Sequence, residues 1–287
     1  MKRKILILFA CLAFLTSACA KNNLENKNKL DKGEIVEEKI EESKISNLND
    51  EKTLDFVIKA LADNVTKESL DKFAALVRDY NKGISQNLLI GDFKSLSSIN
   101  IDTGKIIDER SKLKHDFPDT NCRINSFLLL KDEMKFRMDT KIDDDLLFMD
   151  EEAIKNSNLF TDEEFKNFKG LFSRVSTKSS KNPKLQGDIM SEFLSNFSFP
   201  EKIKMLSVVL HDNLDGDYLF IGHVGVLLPL EKGYLFIEKI SFEEPYQAIK
   251  FPDKESCYKY LKEKFEDYKD PNVAPPFIME NDKYIDI

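Results

Sequence analysis

Tryptophan is absent from this 287-residue chain, and histidine, cysteine, proline and glycine are scarce, at 3, 4, 9 and 10 residues. The missing tryptophan says little about function, but the other shortages exclude a good deal. Three histidines and no paired cysteines leave no zinc-ligand pattern. No glycine-rich phosphate loop occurs, and neither "GIS" nor "LFSRVS" has the surroundings of a serine nucleophile elbow. The acids of "HDNLDGD" (His211–Asp217) suggest calcium, but EF-hand spacing is not met. Neither a metal nor an organic cofactor is therefore expected. The 43 basic and 51 acidic residues are well mixed, for a formal net charge of -8. With no basic patch or stripe, nucleic acid is not an expected partner.

What is present begins with a leader. "MKRKILILFACLAFLTSACAK" carries Lys2, Arg3 and Lys4, then an apolar run from Ile5 to about Leu15, then small residues. That is a secretory signal peptide, and its apolar run is shorter than the ~20 residues of a spanning helix. Leu15-Thr16-Ser17-Ala18-Cys19 resembles a bacterial lipobox, with Thr16 where Leu is commonest, and would make Cys19 a lipidated N-terminus. Ala18-Cys19-Ala20 also fits an A-x-A site cleaved before Lys21. The lipobox is favoured, because a cysteine closing such a signal is otherwise hard to explain. The expected protein is thus extracytoplasmic and held to the membrane through lipid on Cys19, with residues 1–18 removed. Loss of Lys2, Arg3 and Lys4 takes the formal charge from -8 to -11.

Residues 19–46, rich in Asn, Lys and Glu, read as a solvated tether. Two helical stripes follow: Leu54, Val57, Ile58 and Leu61, then Leu70, Phe73, Ala74 and Val77, with Asn64–Thr66 as break and cap. Residues 47–100 are expected to form this helical hairpin and a looser, glycine-containing loop, and residues 101–287 a second, larger domain. There, helices are predicted at about Asp102–Lys114, from Thr120 or Asn121 onward, after the Thr161/Glu164 capping box, and over "FPEKIKMLSVVL" with Pro200 in its first turn. After Asp215-Gly216 the period changes. Strands are predicted at about Asp217–Leu228, Gly233–Ser241 and Tyr246–Phe251, then a last helix over Lys254–Tyr268. Helices first and antiparallel strands later make an α+β fold.

Chemistry gathers at three positions. Cys122 follows a helix N-cap, where the helix dipole lowers a thiol pKa and backbone N–H groups can hold an oxyanion. His223 lies inside an otherwise apolar strand, and a buried polar group needs a partner. Glu238 is a second ionisable group in the next apolar strand, between Ile237 and Lys239. If Pro229–Lys232 form a four-residue hairpin loop, Leu228 pairs with Gly233 and His223 stands directly opposite Glu238. Two readings stand: a carboxylate that orients a catalytic imidazole, or a buried pair with a structural role. Cys122 also has a structural alternative, a disulfide with Cys257; against it, Cys257 shares an apolar helix face with Leu261, Phe265 and Tyr268. His115 and His211 read as surface or turn residues.

The order of parts resembles the NlpC-type and CHAP-type cell-wall cysteine peptidases. In those families a Cys opens a helix packed on an antiparallel sheet, "GD" leads into the strand carrying "HVG", and a third polar residue follows on the next strand. The resemblance maps Cys122, His223 and Glu238 onto those positions, although "DC" is "NC" here and extra helices fill the interval to Gly216. "TNCRINSFLLLKD", "LFSRV", "VVLHDNLDGDYLFIGHVGVLLP" and "FEEPYQAIKF" make the mature chain similar to uncharacterised lipoproteins of Gram-positive bacteria, the domain of unknown function 4300. Together these imply an α+β, papain-like domain with an antiparallel sheet and added helices. The implied activity is cysteine-dependent cleavage or transfer at an amide bond, with peptidoglycan or another peptide as substrate. Cys122 would be nucleophile, His223 general base and acid, and Glu238 the orienter; the Cys122 amide and the Asn121 side chain would hold the oxyanion. The alternative is a binding or assembly lipoprotein that keeps the fold without turnover.

Overall fold

The computed structural model describes residues 42–136, 142–268 and 270–287. The expected signal peptide, Cys19 and most of the expected tether lie outside the described residues. The end of that tether is instead a strand: β1 (Lys44–Ser46) pairs antiparallel with Ala248–Lys250 near one end of the sheet, burying Ile45 and Ser46.

The predicted hairpin follows as α1 (Glu51–Leu61) and α2 (Lys67–Asn81), capped by the side chains of Asp50 and Thr66. Their Leu and Phe stripes enter the same core as the later helices, so residues 47–100 share one hydrophobic interior with the rest. A short strand β2 (Lys94–Ser95) and α3 (Thr103–Arg110) lead to α4 (Cys122–Leu130). Beyond it come β3 (Lys135–Phe136), α5 (Phe148–Ser157), α6 (Asp162–Leu171), β4 (Val175–Ser176), α7 (Pro183–Leu194) and β5 (Phe197–Ser198). The Thr161/Glu164 capping box opens α6 as predicted. Neither α5 nor α7 was predicted. The former has no side-chain cap; the latter carries an Asn182-Pro183 start signal that went unread.

The sheet is built from β6 (Lys204–Asp212), β7 (Tyr218–Pro229), β8 (Tyr234–Lys239), β9 (Tyr246–Phe251), β10 (Phe277–Glu280) and β11 (Lys283–Ile285). Its order is β11-β10-β6-β7-β8-β9-β1-β2, all antiparallel, with β4 added to β7. Residues expected to be helical in "FPEKIKMLSVVL" form β6 instead. Both faces of this strand are covered, so Met205–Leu210 read as an apolar run, broken only by Ser207, whose period cannot be assigned. The last predicted helix is α8 (Lys254–Lys264), and two unpredicted strands follow it.

Two apolar layers sandwich the sheet. Val209, Ile221, Val224, Val226, Leu228 and Ile237 face α4 and the other helices. Leu206, Val208, Leu227, Phe236 and Ile249 face Cys257, Leu261 and Phe265 of the α8 segment. The α+β class is as expected, with His223 and Glu238 on central strands between the two layers.

Candidate active site

Strand β7 carries the site's histidine past a local irregularity. Val208 pairs with His223 but Val209 with Ile221, so Gly222 is an extra residue in β7. The β7–β8 ladder then runs from Val226↔Ile237 to Pro229↔Tyr234. The hairpin loop is therefore 230–233, not 229–232, and the expected register is corrected by two residues. His223 is not directly opposite Glu238. A slip of two leaves every side chain on its original face, and a diagonal neighbour remains within reach of long side chains. His223 Nε2 and Glu238 Oε2 accordingly lie 2.6 Å apart.

Upstream of Val226, β7 carbonyls accept from α4 side chains: Ser126 Oγ donates to Val224 at 3.2 Å and Arg123 Nη1 to Ile221 at 3.3 Å. The start of α4 thus lies along β7 where the β8 ladder is not formed, which brings Cys122 to His223. Asn121 is the N-cap, its Oδ1 accepting from the Ile124 N–H at 3.1 Å. Its Nδ2 donates to Asp150 at 2.8 Å, so this amide is already engaged on both sides. The Cys122 N–H lies in the first turn, where helices offer no internal acceptor. His223 Nδ1 is buried without a regular hydrogen-bond partner, yet thiol and imidazole interact strongly enough to move each other's titration. Catalytic contacts are often long or poorly aligned before substrate binds. We therefore take the pair as facing but not aligned.

Burial opposes charge on all three groups, and their partners overcome it. Burial pushes the Cys122 thiol up, but hydrogen bonding and charge from His223, then Arg123, hold it below its usual value. Burial pushes His223 down, yet Cys122 and Glu238 lift it to about 9. Burial raises Glu238, while Lys264, His223 and Tyr260 bring it below the usual carboxylate range. All three shifts favour the charged form of the group concerned.

α8 supplies a layer that the sequence did not reveal. Tyr260 Oη donates to Glu238 Oε1 at 2.5 Å and accepts from Lys264 Nζ at 3.0 Å. Phe265 stacks on the His223 ring, centroids 4.9 Å apart and 25° from parallel. The site is covered: Cys122, His223 and Glu238 are 4%, 1% and 0% exposed. Arg123 could have been noticed from its adjacency to Cys122; Asp150, 27 residues further along the chain, gave no sequence signal.

Other expected residues fall elsewhere. Cys257 and Cys122 are both free and buried, so the alternative disulfide is absent. His211, read as a surface or turn residue, is buried in β6; its Nδ1 accepts from the Ala274 N–H at 3.1 Å, and Asp217 meets Nε2. His115 lies against the Asp79 carbonyl and Arg110. Asp215 of "HDNLDGD" pairs with Arg174, as do Asp143 and Asp145. Among the described residues, no group of three or more His, Cys, Asp or Glu side chains is placed to hold a metal ion.

The family described as a domain of unknown function (DUF4300) matches residues 44–285, and the chain belongs to it. No curated protein and no solved structure matches the chain.

Proposed function

We propose that this DUF4300 member is a membrane-anchored cysteine amidase or peptidase, with Cys122 as nucleophile, His223 as general base and acid, and Glu238 as the group that orients and charges the imidazole. One observation carries the reading: a thiol at the start of a helix interacts with a buried imidazole, whose Nε2 lies 2.6 Å from a carboxylate oxygen. In the reaction the Cys122 thiolate attacks the amide carbon, and the carbonyl electron pair moves onto oxygen beside the Cys122 N–H. Collapse of this intermediate expels the amine, which takes a proton from His223, and leaves a thioester. Water then adds to the thioester carbon and gives its proton to His223. The acid departs and the thiolate–imidazolium pair is restored. The order of Cys122, His223 and Glu238 resembles that of papain-like domains of the NlpC or CHAP type, and this resemblance supports cell-wall stem peptides or other exposed amides as substrates. No metal or organic cofactor enters these steps.

Anchoring belongs to the same proposal. Lipid on Cys19 would hold the domain at the outer face of the membrane. No helix among the described residues is long and apolar enough to cross a membrane. Cys19→Ala should release the protein or leave its precursor unprocessed. Intact-mass analysis of the membrane fraction checks this, and a lipid-free chain beginning at Lys21 overturns it.

A second reading, a binding or assembly lipoprotein without turnover, is favoured by the covered site, where Phe265 lies across His223. Thiol alkylation and amine release from stem peptides separate the two. A Cys122 that reacts readily at neutral pH and supports turnover belongs to the enzyme. An inert thiol with an ordinary pKa and no turnover belongs to the binding protein.

A further inference from the structure

We propose that Asp150 is a positioning residue that fixes the Cys122 thiol opposite His223 by clamping both residues that flank Cys122 in sequence. The inference rests on the cysteine–histidine reading above. Asp150 is fully buried in the first turn of α5. Its Oδ1 accepts from Asn121 Nδ2 at 2.8 Å and from Arg123 Nε at 3.1 Å, and its Oδ2 from Arg123 Nη2 at 2.9 Å. Asn121 is the cap of α4, and the third Arg123 nitrogen donates to the Ile221 carbonyl, two residues before His223. One carboxylate thereby ties the nucleophile's cap, the nucleophile's neighbour and the strand of the base into a single bonded loop. The two-point fork of the guanidinium fixes an angle as well as a distance. A residue 27 positions away from Arg123 thus sets where the first turn of α4 sits against β7.

The clamp and a bare charge effect act on the thiol with opposite sign. Three charged groups face Cys122: His223 from β7, Arg123 from α4 and Asp150 from α5. The charge of Asp150 disfavours the thiolate. If charge alone mattered, neutralising it would lower the thiol's titration midpoint. If Asp150 holds the pair in place, neutralising it loosens Cys122 from His223 and raises the midpoint.

Iodoacetamide alkylation of the full chain, followed at the Cys122 peptide by mass spectrometry from about pH 4 to about pH 10, reads that midpoint. Asp150→Asn should raise it by about one pH unit, a loss of about tenfold in alkylation rate at pH values well below the midpoint. A midpoint that falls or stays put overturns the clamp. Arg123→Lys keeps the charge but loses the fork, and decides the matter if Asp150→Asn does not fold. It should raise the midpoint too, and an unchanged midpoint overturns the clamp. Failure of the underlying reading looks different. A wild-type midpoint at the ordinary thiol value, unmoved by His223→Asn, removes the cysteine–histidine pair itself. A depressed wild-type midpoint that responds to His223→Asn but to neither clamp variant removes only the clamp.

Discussion

Glu238 and Lys239 are adjacent on β8, both fully buried, and they point to opposite faces of the sheet. Towards α8, Glu238 meets His223 and the Tyr260 hydroxyl with Lys264 beyond, and stays below the usual carboxylate range. Towards α2, Lys239 meets the Ser241 and Phe242 carbonyls at 2.8 and 3.0 Å and the rings of Tyr80 and Tyr246. Burial dominates there and presses its pKa down to about 7, with Asp119 only partly opposing. Depth is the same at both residues. A complementary charge within bonding distance preserves ionisation on one side, and its lack erodes it on the other.

The contrast breaks first if the Glu238 side has no chemistry. Cys122→Ala should reduce amide cleavage by roughly four orders of magnitude or more, with thermal unfolding little changed, because the side chain lost is small. Cleavage that survives in this variant removes the catalytic assignment. Next in size, Glu238→Gln keeps a polar partner for Nε2 but not the charge that supports the imidazolium. Turnover at neutral pH should fall about 100-fold, and urea unfolding should show a loss of about 1–3 kcal/mol. An unaltered pH–rate profile would count against the orienting role.

Stability against pH sharpens the comparison. His223 is raised from 6.5 to about 9 on folding, so its contribution is complete below about pH 6.5 and lost as pH climbs through about 9. Cys122 is lowered, so its contribution is complete above its unfolded value of 9.0 and lost as pH falls through the folded one. Thiolate plus imidazolium holds as many protons as thiol plus imidazole, so the two slopes oppose each other wherever the folded thiol has lost its proton. Lys239 falls from 10.5 to about 7 on folding; its burial penalty is complete below about pH 7 and relieved as pH rises to about 10.5. Lys239 should therefore add a rising contribution to stability from about pH 7 upward, and Lys239→Met should remove that contribution. Urea midpoints across this range check it. A slope unchanged by the substitution would mean that Lys239 is held charged like Glu238. The smallest effect is a control away from both groups. Thr161→Ala removes the capping box of α6 and should cost about 1 kcal/mol, while the Cys122 alkylation midpoint stays where it was.

Local chemistry was readable along the chain. Thr66, Asn121 and Thr161 cap the helices predicted for them, because a cap depends on residues three apart. The Leu54–Leu61 and Leu70–Val77 stripes form α1 and α2, because helical period is a local property. β6 was misread, because Met205, Leu206, Val208 and Val209 are buried on both faces and carry no alternation. Glu238 was found opposite the wrong residue yet on the right face, since an error of two leaves a strand's face unchanged.

The sequence by itself determined the kinds of groups available and their faces: a thiol in a first helical turn, an imidazole and a carboxylate on the same side of neighbouring strands. The tertiary structure alone decided that they meet and that their charged forms are favoured. Cys122 reaches His223 only where α4 lies along β7 upstream of the β8 ladder. Tyr260 and Lys264 reach Glu238 only because α8 folds back over the sheet. Proximity between distant parts of the chain is set by packing, and the charge of a buried group is set by whatever packing brings beside it.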